Sequence, residues 1–176
     1  VQDADHPGPS YGLSGSNMPQ VFVVNSLYAI PVGKGKRFST GNRFVDYVVG
    51  NWQINNIFTW RNGQNFTVHD SNDIANIGNT GYEWADRVGN PHLSHPTTAQ
   101  WFNKAAFTEP TGAYGTASRL SIPSPGTVSL DMSLSKSIRI GDTKNFEIRA
   151  TADNVFNTVQ YSGVDSTLGN ATYGEV

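Results

Sequence analysis

The stretch TVSLDMSLSKSIRI, residues 127–140, alternates along its whole length. Val128, Leu130, Met132, Leu134, Ile138 and Ile140 take the even positions, with Lys136 the one exception. Thr127, Ser129, Asp131, Ser133, Ser135, Ser137 and Arg139 take the odd ones. Side chains of a strand point alternately to opposite faces, so this segment has one apolar and one polar face. Three surroundings satisfy the apolar face: a protein core, a partner, or a lipid bilayer.

The same pattern continues on either side. After a tight turn at GDTK (141–144), NFEIRATADNVFN (145–157) reads as an antiparallel return strand. Phe146, Ile148, Ala150, Ala152 and Phe156 oppose Asn145, Glu147, Arg149, Thr151 and Asp153. Upstream, VFVVNSLYAI (21–30) is a strand ended by Pro31, and PVGKGKRFSTGN is a turn region whose glycines allow positive φ. A further strand is expected over 51–69, with Trp52, Ile54, Asn56, Phe58 and Trp60 on one face and a bend at Asn62–Gly63. Residues 1–19 and 161–176 read as loop. Residues 70–126 form a long loop rich in Gly, Asn and Pro, within which TTAQWFNKAAF (97–107) has a short helix capped by Thr97 or Thr98 as its expected structure. The expectation is two hairpins, with short turns at one end and the long loop at the other.

Composition narrows the class. The chain has 176 residues, 18 Gly, 9 Pro and 11% aromatics, and charged residues make up 15%, below the roughly 25% of an average soluble domain. A net charge of −2 provides no basic field for nucleic acid. The absence of cysteine removes disulfides and thiolate chemistry. No apolar run has the length of a membrane helix. The chain opens VQDADHPGPS, without Met or a leader pattern, which points to a processed product or a piece of a longer chain.

Soluble antiparallel sheets also alternate, but three features favour lipid. Strands of 13 and 14 residues exceed the usual length of about 5–6 and cover the roughly 9–11 needed to cross a bilayer. Short turns at one end and a long loop at the other match outer-membrane barrels, as do Tyr28, Trp52 and Trp60 near strand ends. The expected fold is therefore all-β: an antiparallel, long-stranded meander forming part of a transmembrane β-barrel, with one long external loop. Its lumen would carry Asp131, Arg139, Glu147, Arg149 and Asp153. Known barrels have at least about eight strands, so four need further strands to close. Alone, their open edges and apolar face favour self-association.

Four stretches resemble the C-terminal part of TonB-dependent outer-membrane receptors, in particular the Oar-like group bearing a carboxypeptidase regulatory domain. YAIPVGKGKRF is similar to that group's Tyr-x-Leu-Pro-Phe-Gly-Lys-Gly-Lys turn, and VVGNWQINNIFTWRNGQNFTV to its Gly-Gly-Trp-Gln segment. WFNKAAF resembles a Trp-Phe-Asn-x-x-Ala-Phe loop motif, and SLDMSLSKSIRIGDTKNFEIRATADNVFN the penultimate hairpin. Together they cover most of residues 20–160, in the family's order. Asn65 stands where the family has Pro and Thr151 where Glu is common, and the chain ends before the family's final strand. The resemblance implies import across a bacterial outer membrane, with the remaining strands, a plug, the TonB system, outer-membrane lipid and a siderophore, glycan or peptide as partners. The plug and TonB box lie outside these residues, so no coupling residue is carried over.

Candidate chemistry is sparse, and nothing in the sequence asks for a cofactor. His92 and His95, with Asp86 or Glu83, are a weak metal set in the long loop. Asp70, Asn72, Asp73, Asn76 and Asn79 supply hard oxygens but lack the EF-hand spacing, and turn chemistry explains them as well. VGKGK fails the P-loop spacing. No Gly-x-Ser-x-Gly elbow is present, and Glu83, Glu109, Glu147 and Glu175 show no pairing for glycosidase work. The expectation is no enzyme. Tyr82, Trp84, Trp101, Phe102 and Tyr114 crowd the long loop, where they either stack on a ligand or pack the loop on itself. They underlie a second reading, a soluble β-sandwich that binds or cleaves glycan.

Overall fold

The computed structural model describes residues 2, 3, 5, 7–74, 76, 83–111, 114–141 and 143–176. The chain divides into two compact units, one comprising Val21–Trp60 and Val128–Val159, the other Val1–Gln20, Arg61–Thr127 and Gln160–Val176.

The first unit is built on a sheet of β1 (Val21–Ala29), β2 (Trp52–Arg61), β3 (Thr127–Ile140) and β4 (Lys144–Ala152), hydrogen-bonded in that order. Its register follows from individual bonds. The Ile30 N–H donates to the Trp52 carbonyl, and Asn56 Nδ2 donates to Ser26 Oγ, so advancing along β2 retreats along β1. Between β2 and β3, the Ser137 N–H donates to the Asn51 carbonyl and Arg61 Nε to Thr127 Oγ1, ten residues away on each strand in opposite directions. β3 and β4 pair antiparallel from Met132–Ala152 to Ile140–Lys144. This is the antiparallel meander the alternation predicts.

Directly opposed residues share a face. One face therefore gathers Phe22, Val24, Tyr28, Trp52, Phe58, Trp60, Leu130, Leu134, Phe146 and Ile148. The other gathers Asn25, Gln53, Asn55, Asp131, Ser133, Ser135, Arg139, Glu147 and Arg149, with Val21, Val23, Leu27 and Ile57 as exposed apolar exceptions at its β1–β2 side. The apolar face is open: Phe22 is 55% exposed, Phe146 54% and Ile148 49%. A face of this area left unsealed needs an apolar surrounding.

Several boundaries differ from expectation. β4 has 9 residues and stops at Ala152, where Asn154 and Asn157 adopt positive φ; Asp153 lies beyond the strand. β2 ends at Arg61 instead of running to 69. The connection from β1 to β2 is no short turn, because it holds α1 (Arg43–Val49). Asn42 caps that helix by accepting from the Phe44 and Val45 N–H groups at 3.0 and 3.3 Å. Gly50 ends it, and a Cβ there would meet the Asp46 carbonyl oxygen at 2.5 Å. With 9, 10, 14 and 9 residues, all four strands still cover a bilayer's thickness.

The second unit holds the buried core. Val68, Trp84, Ala85, Phe102, Ala106, Phe107, Ala117, Ile122 and Tyr173 cluster there. Asn65–Phe66 pairs antiparallel with Ile122–Pro123, and Asp86–Arg87 with Phe107–Thr108. His69–Asp70 pairs parallel with Thr167–Leu168, so residues 161–176 are more than loop. The lead-in also takes part, as Gln2 accepts from the Trp84 N–H and donates to the Gly115 carbonyl. The helix expected over 97–107 shrinks to one 3-10 turn, Lys104–Ala106, capped by Asn103. Thr97 instead accepts from the Gln100 N–H.

Candidate functional site

The exception in the alternation organises the end of the sheet where β3 turns into β4. Lys136 stands on the apolar face, yet its side chain is buried. Its Nζ donates to the carbonyls of Tyr47 at 2.8 Å, Val48 at 2.9 Å and Gly50 at 2.6 Å. These carbonyls close the C-terminal end of α1, where helical partners run out and the macrodipole is negative. The ammonium also stands 5.3 Å from the Trp52 ring centre and 5.9 Å from that of Tyr47. Trp52 Nε1 donates to the Val48 carbonyl as well.

Asp46 secures the other side of α1. It accepts from Ser39 Oγ at 2.6 Å, the Thr40 N–H at 2.8 Å and Thr40 Oγ1 at 2.9 Å. The Ser39 hydroxyl, then the Thr40 bonds, hold its carboxyl below the usual carboxylate range against the opposing effect of burial. Gly33, at φ +112°, packs so close to Gly50 that a Cβ would meet the Gly50 Cα at 2.8 Å.

Beside α1 lies a cavity of about 710 Å³ lined by Lys34, Lys36, Arg43, Asp46, Gln53, Ser137 and Arg139, among others. Four cations face one carboxylate already committed to Ser39 and Thr40, so the hollow suits an anion. Arg139 alone among these was a sequence candidate. By sequence the segment GKGKRF reads as a turn with no role for its lysines, and their meeting with Arg139 depends on the α1 connection.

The other polar-face candidates make separate local contacts. Arg149 pairs with Glu147 at 2.6 Å in the open, and lies opposite Ser135. Asp131 accepts from the Asn154 N–H at 2.8 Å.

Three of the loop aromatics, Phe102, Trp84 and Trp101, take structural positions. Phe102 is fully buried, with the rings of Tyr173, Phe66 and Phe107 at 5.3, 5.6 and 5.9 Å. Trp84 is buried, and Trp101 donates from Nε1 to the Pro123 carbonyl at 2.7 Å. Tyr114 is 37% exposed, and Tyr82 lies outside the described residues. WFNKAAF therefore reads as a packing element: Trp101, Phe102, Ala106 and Phe107 join or flank the core while Asn103 caps the turn.

Among the described residues no three His, Asp or Glu side chains converge on a metal position. His92 and His95 are exposed, Asp86 accepts from the Thr116 N–H, and Glu83 from the Ile74 N–H. Of the oxygen-rich stretch, Asp70 accepts from the Asn72 N–H in an Asx turn and Asn72 donates to Glu109; Asn79 lies outside the described residues.

Comparisons with curated proteins and with solved structures returned no match. A family profile described as "Outer membrane beta barrel domain" matches residues 1–176. Together with the exposed apolar face, that match overturns the soluble-sandwich reading. The chain belongs to the outer membrane beta barrel domain family, and its place is the bacterial outer membrane.

Proposed function

We propose that the chain forms part of a TonB-dependent receptor that imports a siderophore, glycan, peptide or similar solute. The observation that carries this reading is the ordered motif series from YAIPVGKGKRF to the β3–β4 hairpin, on a sheet with one lipid-compatible face and one charged face. In a closed barrel Asp131, Arg139, Glu147 and Arg149 face the lumen, where solute or a plug meets them. Further strands and a plug complete the assembly, and the work done is transport, with energy coming from an inner-membrane complex through TonB. No residue acts as a catalyst in this reading.

Whole cells test it. Uptake of labelled siderophores, oligosaccharides and peptides is compared in wild-type cells, a strain lacking this gene, and a strain lacking TonB. Accumulation of one solute that disappears in both deletions is expected. Accumulation that needs this gene but survives loss of TonB would reassign the barrel to passive diffusion.

A further inference from the structure

A helix of seven residues whose outward side is wholly apolar is out of place in water. Viewed down α1, Asp46 marks the inward side, and at 100° per residue Phe44 and Val48 stand nearly opposite it, flanked by Val45 and Tyr47. All four are exposed, Phe44 to 76%. The helix is gripped by its backbone: Lys136 and Trp52, both from the apolar face of the sheet, bind its terminal carbonyls. The apolar side of α1 thus adjoins the face that meets lipid.

Two observations place the contact at a particular depth. Trp52 and Trp60 share that face eight residues apart, about 27 Å along the strand, which suits the aromatic girdles bounding an apolar band about 25 Å tall. α1 hangs at the Trp52 end. Its connection also carries Lys34, Lys36, Arg37 and Arg43, all exposed, against the single carboxylate of Asp46, in a chain of net charge −2. Lys34, Lys36 and Arg43 line the hollow beside Arg139, which leaves Arg37 as the cation next to the apolar side chains at girdle level, a pairing that matches the boundary between acyl chains and phosphate head groups. Outer-membrane barrels keep their short turns on the periplasmic side, and α1 lies at the end of the β3–β4 turn.

We propose that α1 is an interfacial anchor, its Phe44–Val45–Tyr47–Val48 side seated in the phospholipid head-group layer of the periplasmic leaflet, with Arg37, the cation of this connection that does not line the Arg139 hollow, meeting lipid phosphate. It holds the β1–β2 connection to the membrane at a fixed level and so sets the depth of the sheet. This rests on the family assignment and is independent of what the barrel transports.

The absence of cysteine makes the test clean. Single cysteines replace Phe44, Val48, Leu134 and Val88 in the full chain, inserted in bilayers of phosphatidylethanolamine and phosphatidylglycerol, and each carries a fluorescent label. At Phe44→Cys and Val48→Cys, a nitroxide near the head group should quench more strongly than one at the acyl terminus, with several-fold protection from aqueous iodide relative to Val88→Cys. Leu134→Cys should respond to the deeper nitroxide, which verifies insertion in the same preparation. With Leu134 behaving so, iodide quenching at 44 and 48 equal to that at 88 overturns the proposal. Shielding from both iodide and nitroxides also overturns it, since a protein surface then covers the helix.

Discussion

Lys136 Nζ donates to the Gly50 carbonyl at 2.6 Å, joining the turn-proximal part of the longest strand to the end of the only α-helix among the described residues. With the Tyr47 and Val48 carbonyls, that ammonium satisfies three acceptors at once. Lys136→Met keeps length and apolar character but leaves the acceptors without their cation. Hydrogen bonds to charged groups contribute about 1.5–3 kcal/mol. A loss of that size should appear in denaturant unfolding of the detergent-solubilised protein, and unchanged stability would mean that water replaces the ammonium at no cost.

The two faces of β3 should respond oppositely to charge. Leu134 lies on the apolar face opposite Ala150, and Ser133 on the polar face opposite Thr151. Leu134→Arg, between the midplane and the Trp52 girdle, is expected to destabilise the inserted protein by less than the roughly 2–4 kcal/mol that arginine costs at the midplane of a barrel's lipid face, but by more than the roughly 0–1 kcal/mol of the interface. Ser133→Arg should be tolerated. Equal effects, read from folding into vesicles across a urea series, would contradict the lipid assignment of the apolar face.

Asp46 introduces a dependence on pH. Its folded-state carboxyl titrates below the ordinary value of 3.8, so its stabilising contribution is complete above that value. The contribution is lost as pH falls through the lower folded-state value. Thermal melting should therefore drop on acidification below about pH 4, and Asp46→Asn should flatten part of that drop. The remainder includes Asp165, where burial pushes the carboxyl up but bonds from Thr167, Thr172 and Asn170 hold it lower overall. An identical pH profile in Asp46→Asn would show that the Ser39 and Thr40 bonds contribute nothing.

Phe102 anchors the core of the second unit through three ring contacts. Phe102→Ala should cost about 3–5 kcal/mol, the range for truncating a buried aromatic. Limited proteolysis should then cut within residues 61–127 at protease levels the wild type withstands. Gly115→Ala should act alike, because a Cβ there collides with the Trp84 carbonyl oxygen. Wild-type resistance in both variants would remove the core assignment.

The alternation of 127–140, the return strand read over 145–157 and the mixed pattern read over 51–69 predicted, without coordinates, an antiparallel meander and the chemistry of its faces, although β4 stops at Ala152 and β2 at Arg61. A period of two is a local property, written into consecutive residues. The helix α1 was missed, because seven residues, mostly apolar, show too little periodicity to stand out from a turn region even with Asn42 and Gly50 at their ends. The role of Lys136 was not legible at all. As a sequence feature it is a flaw in a pattern, and only the approach of residues 47–50, more than 80 positions away, makes it a cap. The same holds for Phe102 and Trp84, aromatic in a loop by sequence and buried by structure. Burial depends on which distant segments return to cover a ring, and here that includes Tyr173 near the chain's end. Local periodicity set the sheet; long-range packing decided which exceptions carry structure.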